Sequence, residues 1–209
     1  HLADVHLERK LNDCSYPSKF AKERRLEAWL SLSRLLSSEN SDFVLIVGDL
    51  FESQYFTQGN LYKLYDIFSN HPDKNIIICP GNHDPLWSYN KDNLPNNVKI
   101  FNKDRLEYFE FLEKRTRIYG IAWEKAYYNE ISFDINLDNS FINILCLHGD
   151  LYSDSGYMYM NPKKLEKIGF DYVALGHIHK TDKISDSIYY SGSFEPMDFG
   201  DLGKKGFLR

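Results

Sequence analysis

The spacing of hydrophobic positions changes along the chain. Phe20, Leu26, Trp29, Leu30, Leu32, Leu35 and Leu36 recur at helical intervals and predict an amphipathic helix beginning near Pro17 or Ser18. Residues 43–47 (Phe-Val-Leu-Ile-Val) form an unbroken apolar run, the pattern of a short buried strand. Leu61, Leu64, Tyr65 and Phe68 share one face of a helix predicted over 57–70, which His71-Pro72 ends. Residues 75–79 are the next buried strand, and Pro80-Gly81-Asn82 is its exit turn. A truncated strand at the start of the chain ends at Asp4.

After residue 97 the pattern turns to strands. β-Branched and aromatic residues predict them at 98–101, 106–111, 116–119, 130–135 and 141–147. A helix over 162–168 with Gly169 as its stop, a buried strand at 170–174, and strands at 188–191 and 205–208 complete the series. There are no internal repeats or low-complexity tracts, and residues 84–97 are the longest irregular stretch. Alternating strands and helices imply a parallel sheet, and the later run of strands implies a second, mixed one. Two sheets face to face with helices outside satisfy both halves.

Composition narrows the class. At 209 residues, 43% apolar and 26% charged, the chain is one large globular domain. No apolar run approaches the roughly 20 residues of a membrane span, and no signal-peptide pattern opens the chain. A cytoplasmic location and no membrane association are therefore expected. Cys14, Cys79 and Cys146 are too few and too far apart for a disulfide framework or a CxxC metal site. The net charge of -5 argues against a free-standing nucleic-acid binder, although cations bound in a cleft would reverse the balance locally. The chain opens at His1 without an initiator Met and stops at Arg209 in what reads as the start of a strand, so it is expected to continue at both ends.

The chemistry is concentrated where predicted strands end. Five short motifs stand there: Asp4-Val5-His6, Gly48-Asp49, Gly81-Asn82-His83-Asp84, His148-Gly149-Asp150 and Gly176-His177-Ile178-His179. In open α/β sheets, ligands gather beyond the carboxyl ends of the strands, so the motifs point to one shared site. Asp4 and His6 flank a single residue and can face the same way, as can His177 and His179. Asp49 can bridge two cations through its two oxygens. Asn82 offers an amide oxygen, and Asp84 can accept the imidazole N–H of His83 and fix its tautomer. Each motif has a plain structural alternative: a solvated Asp–His pair, a turn or cap carboxylate, an Asn turn, or core histidines. Holding all of them at once requires five coincidences at five strand ends. Oxygen and imidazole donors without thiolates suit manganese, magnesium or iron, or zinc in a hydrolytic site.

The set resembles the calcineurin-like metallophosphoesterase family, whose motifs are D-x-H, GD, GNH[DE], a GH-like histidine and GHxH, and the resemblance runs from Asp4 to His179. Residues 1–7, 48–51 and 171–179 are similar to the DNA double-strand-break repair nuclease branch, which includes the SbcD-type exonucleases. Residues 190–200 resemble that branch's Pro-Gly-Ser-x-Glu-Pro tail. Glu8 departs from a common Gly, Glu52 from a His or Asp, and Leu147 from a Gly. Asp84 and Pro80 stand where the protein-phosphatase branch has Glu and its arginine, which separates the chain from that branch.

The resemblance implies an α/β fold, a four-layer α/β/β/α sandwich of two mixed sheets with a dinuclear metal site at strand ends. It implies a catalytic domain over residues 1–209, truncated at both ends and without its capping domain. Asp4, His6, Asp49 and His179 would surround one ion, and Asp49, Asn82, His148 and His177 the other. The ions are expected to be manganese, with magnesium, iron or zinc as alternatives, about 3.5–4 Å apart, activating a hydroxide for attack on phosphorus. His83, oriented by Asp84, would protonate the leaving oxygen. The implied activity is a DNA exo/endonuclease, with an SbcC-type ATPase partner for the full-length protein and room for a homodimer. Two alternatives stand beside it. A small-molecule phosphodiesterase, acting for example on cyclic nucleotides, would respond poorly to DNA. A non-catalytic scaffold would have lost ligands, and none is missing here.

Overall fold

The computed structural model describes residues 1–10, 18–197 and 201–209. Cys14, Pro17 and the end of the tail motif (Asp198, Phe199, Gly200) lie outside them. Three helices, α1 (Ser18–Ser38), α2 (Gln58–Ser69) and α3 (Pro162–Ile168), accompany nine strands. These are β1 (Phe43–Val47), β2 (Asn75–Cys79), β3 (Val98–Ile100), β4 (Glu107–Phe111), β5 (Thr116–Gly120), β6 (Ile142–His148), β7 (Tyr172–Gly176), β8 (Asp182–Lys183) and β9 (Ile188–Tyr190).

The first sheet has the order β1-β2-β3 and is parallel throughout, so the expectation of two mixed sheets is corrected here. Crossovers join β1 to β2 and β2 to β3, and no hairpin supplies this sheet with an antiparallel neighbour. The second sheet, β4-β5-β6-β7-β9-β8, is mixed: β4 and β8 pair antiparallel at its two edges, and the interior pairs are parallel.

Burial explains the unbroken apolar runs of β1 and β2. On one face, Val44, Ile46, Ile76 and Ile78 pack with Trp29, Leu32 and Leu36 of α1 and Leu61, Leu64 and Phe68 of α2. On the other, Leu45, Val47, Ile77 and Cys79 pack with Ile118, Cys146 and Ala174 of the second sheet. The far face of that sheet, with Leu145, Leu147, Val173 and Leu175, carries Leu165 of α3 and Phe170. A strand covered on both faces has no reason to alternate.

Local signals set the helix ends. Thr57 caps α2 by accepting from the Asn60 amide (3.2 Å), while the Asn60 side chain accepts from Thr57 N–H (2.9 Å). Asn161 caps α3, Pro162 fills its first position, and Gly169 closes it at φ 83°.

Two predicted strands are absent. Residues 130–135 do alternate: Ile131, Phe133 and Ile135 are half-buried against the second sheet's core, and the residues between them are exposed. Alternation reports one-sided burial, however, and this segment forms no ladder with a neighbouring strand; its Ile131 amide donates to Tyr159 O (2.8 Å). Residues 205–208 also form no strand, although Leu208 N–H donates to His1 O (2.8 Å). The opening strand is reduced to isolated parallel bridges, Leu2 to Ile46 and Ala3 to Ser193. Among the described residues, no helix is long and apolar enough to cross a membrane.

Candidate metal centre

Strand register brings the motifs together. Val47 pairs with Cys79 at the ends of β1 and β2, and His148 pairs with Gly176 at the ends of β6 and β7. The segments leaving all four strands therefore emerge at one edge, where Asp4 joins them through its amide to Gly48 O (3.0 Å). The packing there leaves no space for side chains at the glycines. A Cβ on Gly48 would lie 2.1 Å from His148 Nδ1, and one on Gly81 would lie 2.4 Å from Asp49 Oδ1.

The backbone is strained at the same place. Asp4, His6, Asp49 and His177 all have positive φ (52°, 49°, 51° and 93°), a region that non-glycine residues rarely enter. Strain of this kind persists only where the surroundings enforce it, and it commonly marks a functional site.

Potential ligand atoms converge in three overlapping groups: Asp4, His6 and His179; Asp4, Asp49 and His148; and His6, Glu52 and His83. Within each group they lie within 4.8 Å of one another. His148 Nε2 is 3.3 Å from Asp49 Oδ2 and 3.1 Å from Asn82 Oδ1, while His148 Nδ1 donates to Val47 O (2.9 Å). The ring of His177 sits 5.4 Å from that of His148, beyond the tight groups, and stacks on Tyr157 at 4.6 Å. His177 N–H donates to Asp4 Oδ2 (3.1 Å). The two remaining histidines lie apart: His1 bonds Tyr172 and Leu175 O, and His71 follows α2.

A divalent cation fits these residues. Asp4 Oδ1 and His6 Nε2 are buried polar atoms without a hydrogen-bond partner, and both belong to the first group. Buried polar atoms in folded proteins are nearly always satisfied, and a bound cation would satisfy both of these. The protonation states agree. Burial pushes the Asp4 carboxyl up to about 7, with the charge of Asp49 adding to it. Burial also opposes the charge on Asp49, but His148, His6 and His83 outweigh it and hold this carboxyl well below the usual range. His148 is driven to about 9 because the Asp49 carboxylate overcomes the effect of burial. His177 and His179 are lowered to about 4, by burial first and by the neighbouring imidazoles His148 and His6 respectively. A proton on His148 holds it to Asp49 where a metal ion would otherwise do so.

The partner of His83 is not the one expected. Asp84 does not hold its imidazole. The Asp84 carboxylate is fully buried and accepts from the amides of Asp49 (2.9 Å), Leu50 (2.9 Å) and Gly81 (2.7 Å) and from Tyr89 OH (2.6 Å). It ties the turn after β1 to the turn after β2. Glu52 instead accepts from His83 Nδ1 (2.8 Å) through one oxygen and from His6 Nδ1 (2.7 Å) through the other. Those two bonds hold the Glu52 carboxyl near 2 despite its burial. The same carboxylate raises the pKa of His83. His83 keeps 44% of its side chain exposed whereas His6 keeps 2%, so His83 faces whatever enters and His6 faces the interior. In the sequence, Glu52 stands out as a departure from the family pattern, and its place three residues after Asp49 is the available signal.

A buried set of carboxylates and imidazoles at the carboxyl ends of strands defines a metallohydrolase site. The calcineurin-like phosphoesterase family model matches residues 1–181, and the chain belongs to that family. The family is one of metal-dependent phosphoester hydrolases. It is 27% identical to the uncharacterized metallophosphoesterase YhaO of Bacillus subtilis (strain 168), over 99% of this chain and 55% of that protein. It is 25% identical to the SbcD subunit of nuclease SbcCD of Staphylococcus epidermidis (strain ATCC 12228 / FDA PCI 1200), over 99% of this chain and 64% of that protein. The chain thus spans 55% and 64% of the lengths of these two curated relatives.

Proposed function

We propose that the chain is the catalytic domain of a metal-dependent phosphodiesterase that cuts DNA as an exo/endonuclease in repair, built as a four-layer α/β/β/α sandwich around a dinuclear centre. The observation that carries the metal reading is the unsatisfied pair Asp4 Oδ1 and His6 Nε2 at the meeting point of four strand ends. In this reading Asp4, His6, Asp49 and His179 hold one ion, and Asp49, Asn82, His148 and His177 hold the other. The donors are nitrogen and oxygen only, which suits manganese, with magnesium, iron or zinc as alternatives. Bound ions supply Lewis acidity for the phosphoryl oxygens and for the attacking water. Glu52 accepts from His83 Nδ1 and raises its pKa, which favours the protonated ring as the acid that gives its proton to the leaving oxygen.

DNA as substrate is supported by the likeness to the SbcD subunit of nuclease SbcCD and by the tail motif that begins at Tyr190. That likeness also supports an SbcC-type partner for the full-length protein. A monoester, a diester and end-labelled duplex DNA, assayed side by side with manganese and with magnesium, test the proposal. Diester and DNA cleavage above monoester cleavage, stronger in manganese, is expected. Fast diester turnover without DNA cleavage would move the assignment to a small-molecule diesterase, and inactivity on every ester would overturn it.

A further inference from the structure

A small cleft of about 40 Å³ opens beside the candidate metal centre and shares His6 with it. Three arginines line it: Arg9, in the turn following the Asp4-Val5-His6 motif, and Arg24 and Arg25 of α1. Its two acidic groups are already engaged. Glu8 accepts from Trp29 Nε1 (2.9 Å) and Asn60 Nδ2 (3.4 Å), which anchors the turn carrying Arg9 to both helices. Glu195 lies 3.6 Å from Arg24, which also pairs with Glu27. Arg9 and Arg25 remain. Both are half-buried, and among the described residues neither meets an acidic side chain. Arg9 lines the same cleft as His6, which places it beside the centre. Three guanidinium groups outnumber the two carboxylates that line the cleft, so in a chain of net charge -5 it carries a local positive charge that a bound anion would offset.

The geometry points to a second anion subsite, in which Arg9 and Arg25 bind a phosphate of the substrate other than the one under attack. The inference rests on the phosphodiesterase reading for the identity of the substrate. Guanidinium groups match phosphate oxygens through paired N–H donors, and a nucleic-acid strand always presents a further phosphate beside the one being cleaved. A terminal phosphate on a short nucleotide offers the same chemistry. The subsite makes the centre discriminate by what is attached to the scissile group, and it gives an acidic chain a local hold on a polyanion.

The test uses the whole chain with Arg9→Gln, Arg25→Gln and, as a control on a remote exposed arginine, Arg105→Gln. Anisotropy of a labelled (dT)12 strand, read with EDTA so that nothing is cleaved, reports binding. Turnover of bis(p-nitrophenyl) phosphate with manganese reports the centre, because this ester carries one phosphate. Each subsite variant is expected to weaken strand binding about ten-fold, to reduce the slope of log affinity against log salt by about 0.7, and to lower the ratio of strand to small-diester kcat/KM. Arg105→Gln should change none of these. A parallel loss on both substrates, or unchanged strand binding in both variants, would overturn the subsite. Comparing TpT with pTpT separates the sources: dependence on the arginines that appears with pTpT assigns a terminal phosphate, and dependence seen only with the longer strand assigns an internal one. A wild type inert on the small diester whose strand binding still depends on the arginines would keep the subsite and discard the phosphodiesterase reading.

Discussion

Glu52 fixes two imidazoles with one carboxylate. Because a carboxylate only accepts, His6 and His83 must each present Nδ1–H to it, which leaves Nε2 of each ring free for another partner. On His6 that nitrogen is the buried, unpartnered atom, a ligand position; on His83 it is the outward position from which a proton leaves. Glu52→Gln is therefore expected to lower diester kcat by about 10²-fold, within the range for losing a positioned acid. It should also shift the acidic-form limb of the pH–rate profile to lower pH, since the charge that raises the His83 pKa is gone. An unchanged pH profile would contradict the role. Asp84 lives at the same scale but does different work. Asp84→Asn places an amide NH₂ among three backbone donors, and an unmet buried group costs about 1–3 kcal/mol. The expected outcome is a lower midpoint in urea unfolding, with the His83–Glu52 pair intact. The sequence suggests Asp84 for His83 because the two are neighbours along the chain. The true partner is 31 residues away, and only the meeting of the turns after β1 and β2 brings it within reach.

At the scale of elements, what was legible is what has a local cause. The apolar runs of β1 and β2, the stripe and cap of α2, and the Pro–Gly bracket of α3 each follow from a few adjacent residues. The strand expected at 130–135 failed because periodicity encodes which side is buried, whereas a ladder needs a neighbour that only the tertiary fold supplies. The antiparallel edge strand β8, two residues long, has too little pattern to read. Glycines separate the two kinds of information. Gly48 and Gly169 have nearly the same φ (80° and 83°), yet a Cβ at Gly48 meets the His148 ring while one at Gly169 meets nothing within 4 Å. Gly169→Ala is expected to cost about 1–2 kcal/mol, the penalty of a left-handed backbone alone, and to leave activity unchanged. Gly48→Ala should cost more and should reduce bound metal as His148 is displaced. Urea unfolding together with elemental analysis of both variants checks the contrast, and equal behaviour would show that His148 is not held by this packing.

At the scale of the molecule, the centre joins two sheets whose facing strands pack largely through apolar side chains. Asp49 follows a strand of the first sheet and His148 ends a strand of the second, and without a cation their attraction depends on a proton. The folded chain holds the His148 pKa at about 9, above its ordinary 6.5. The stability it contributes is therefore complete below about pH 6.5 and is lost as pH rises through about 9. At lower pH the picture is mixed. Asp4, raised to about 7, acts in the same sense, while His177 and His179, lowered to about 4, act in the opposite one. The buried amino group of His1, lowered from 8.0 to about 6, also opposes it up to about pH 8, so the clear window is pH 8 to 9. Metal-stripped protein should show a falling thermal midpoint across that window. Manganese should restore the midpoint and flatten its pH dependence, because imidazole ligands bind metal in their neutral form and the ion replaces the proton. The same exchange should release protons into a weakly buffered solution when manganese is added at pH 8. Thermal unfolding with EDTA and with manganese, read beside proton release, decides the matter. A flat profile in EDTA, or metal uptake without proton release, would mean that His148 is already neutral and that the two sheets are joined here by something other than a shared charge.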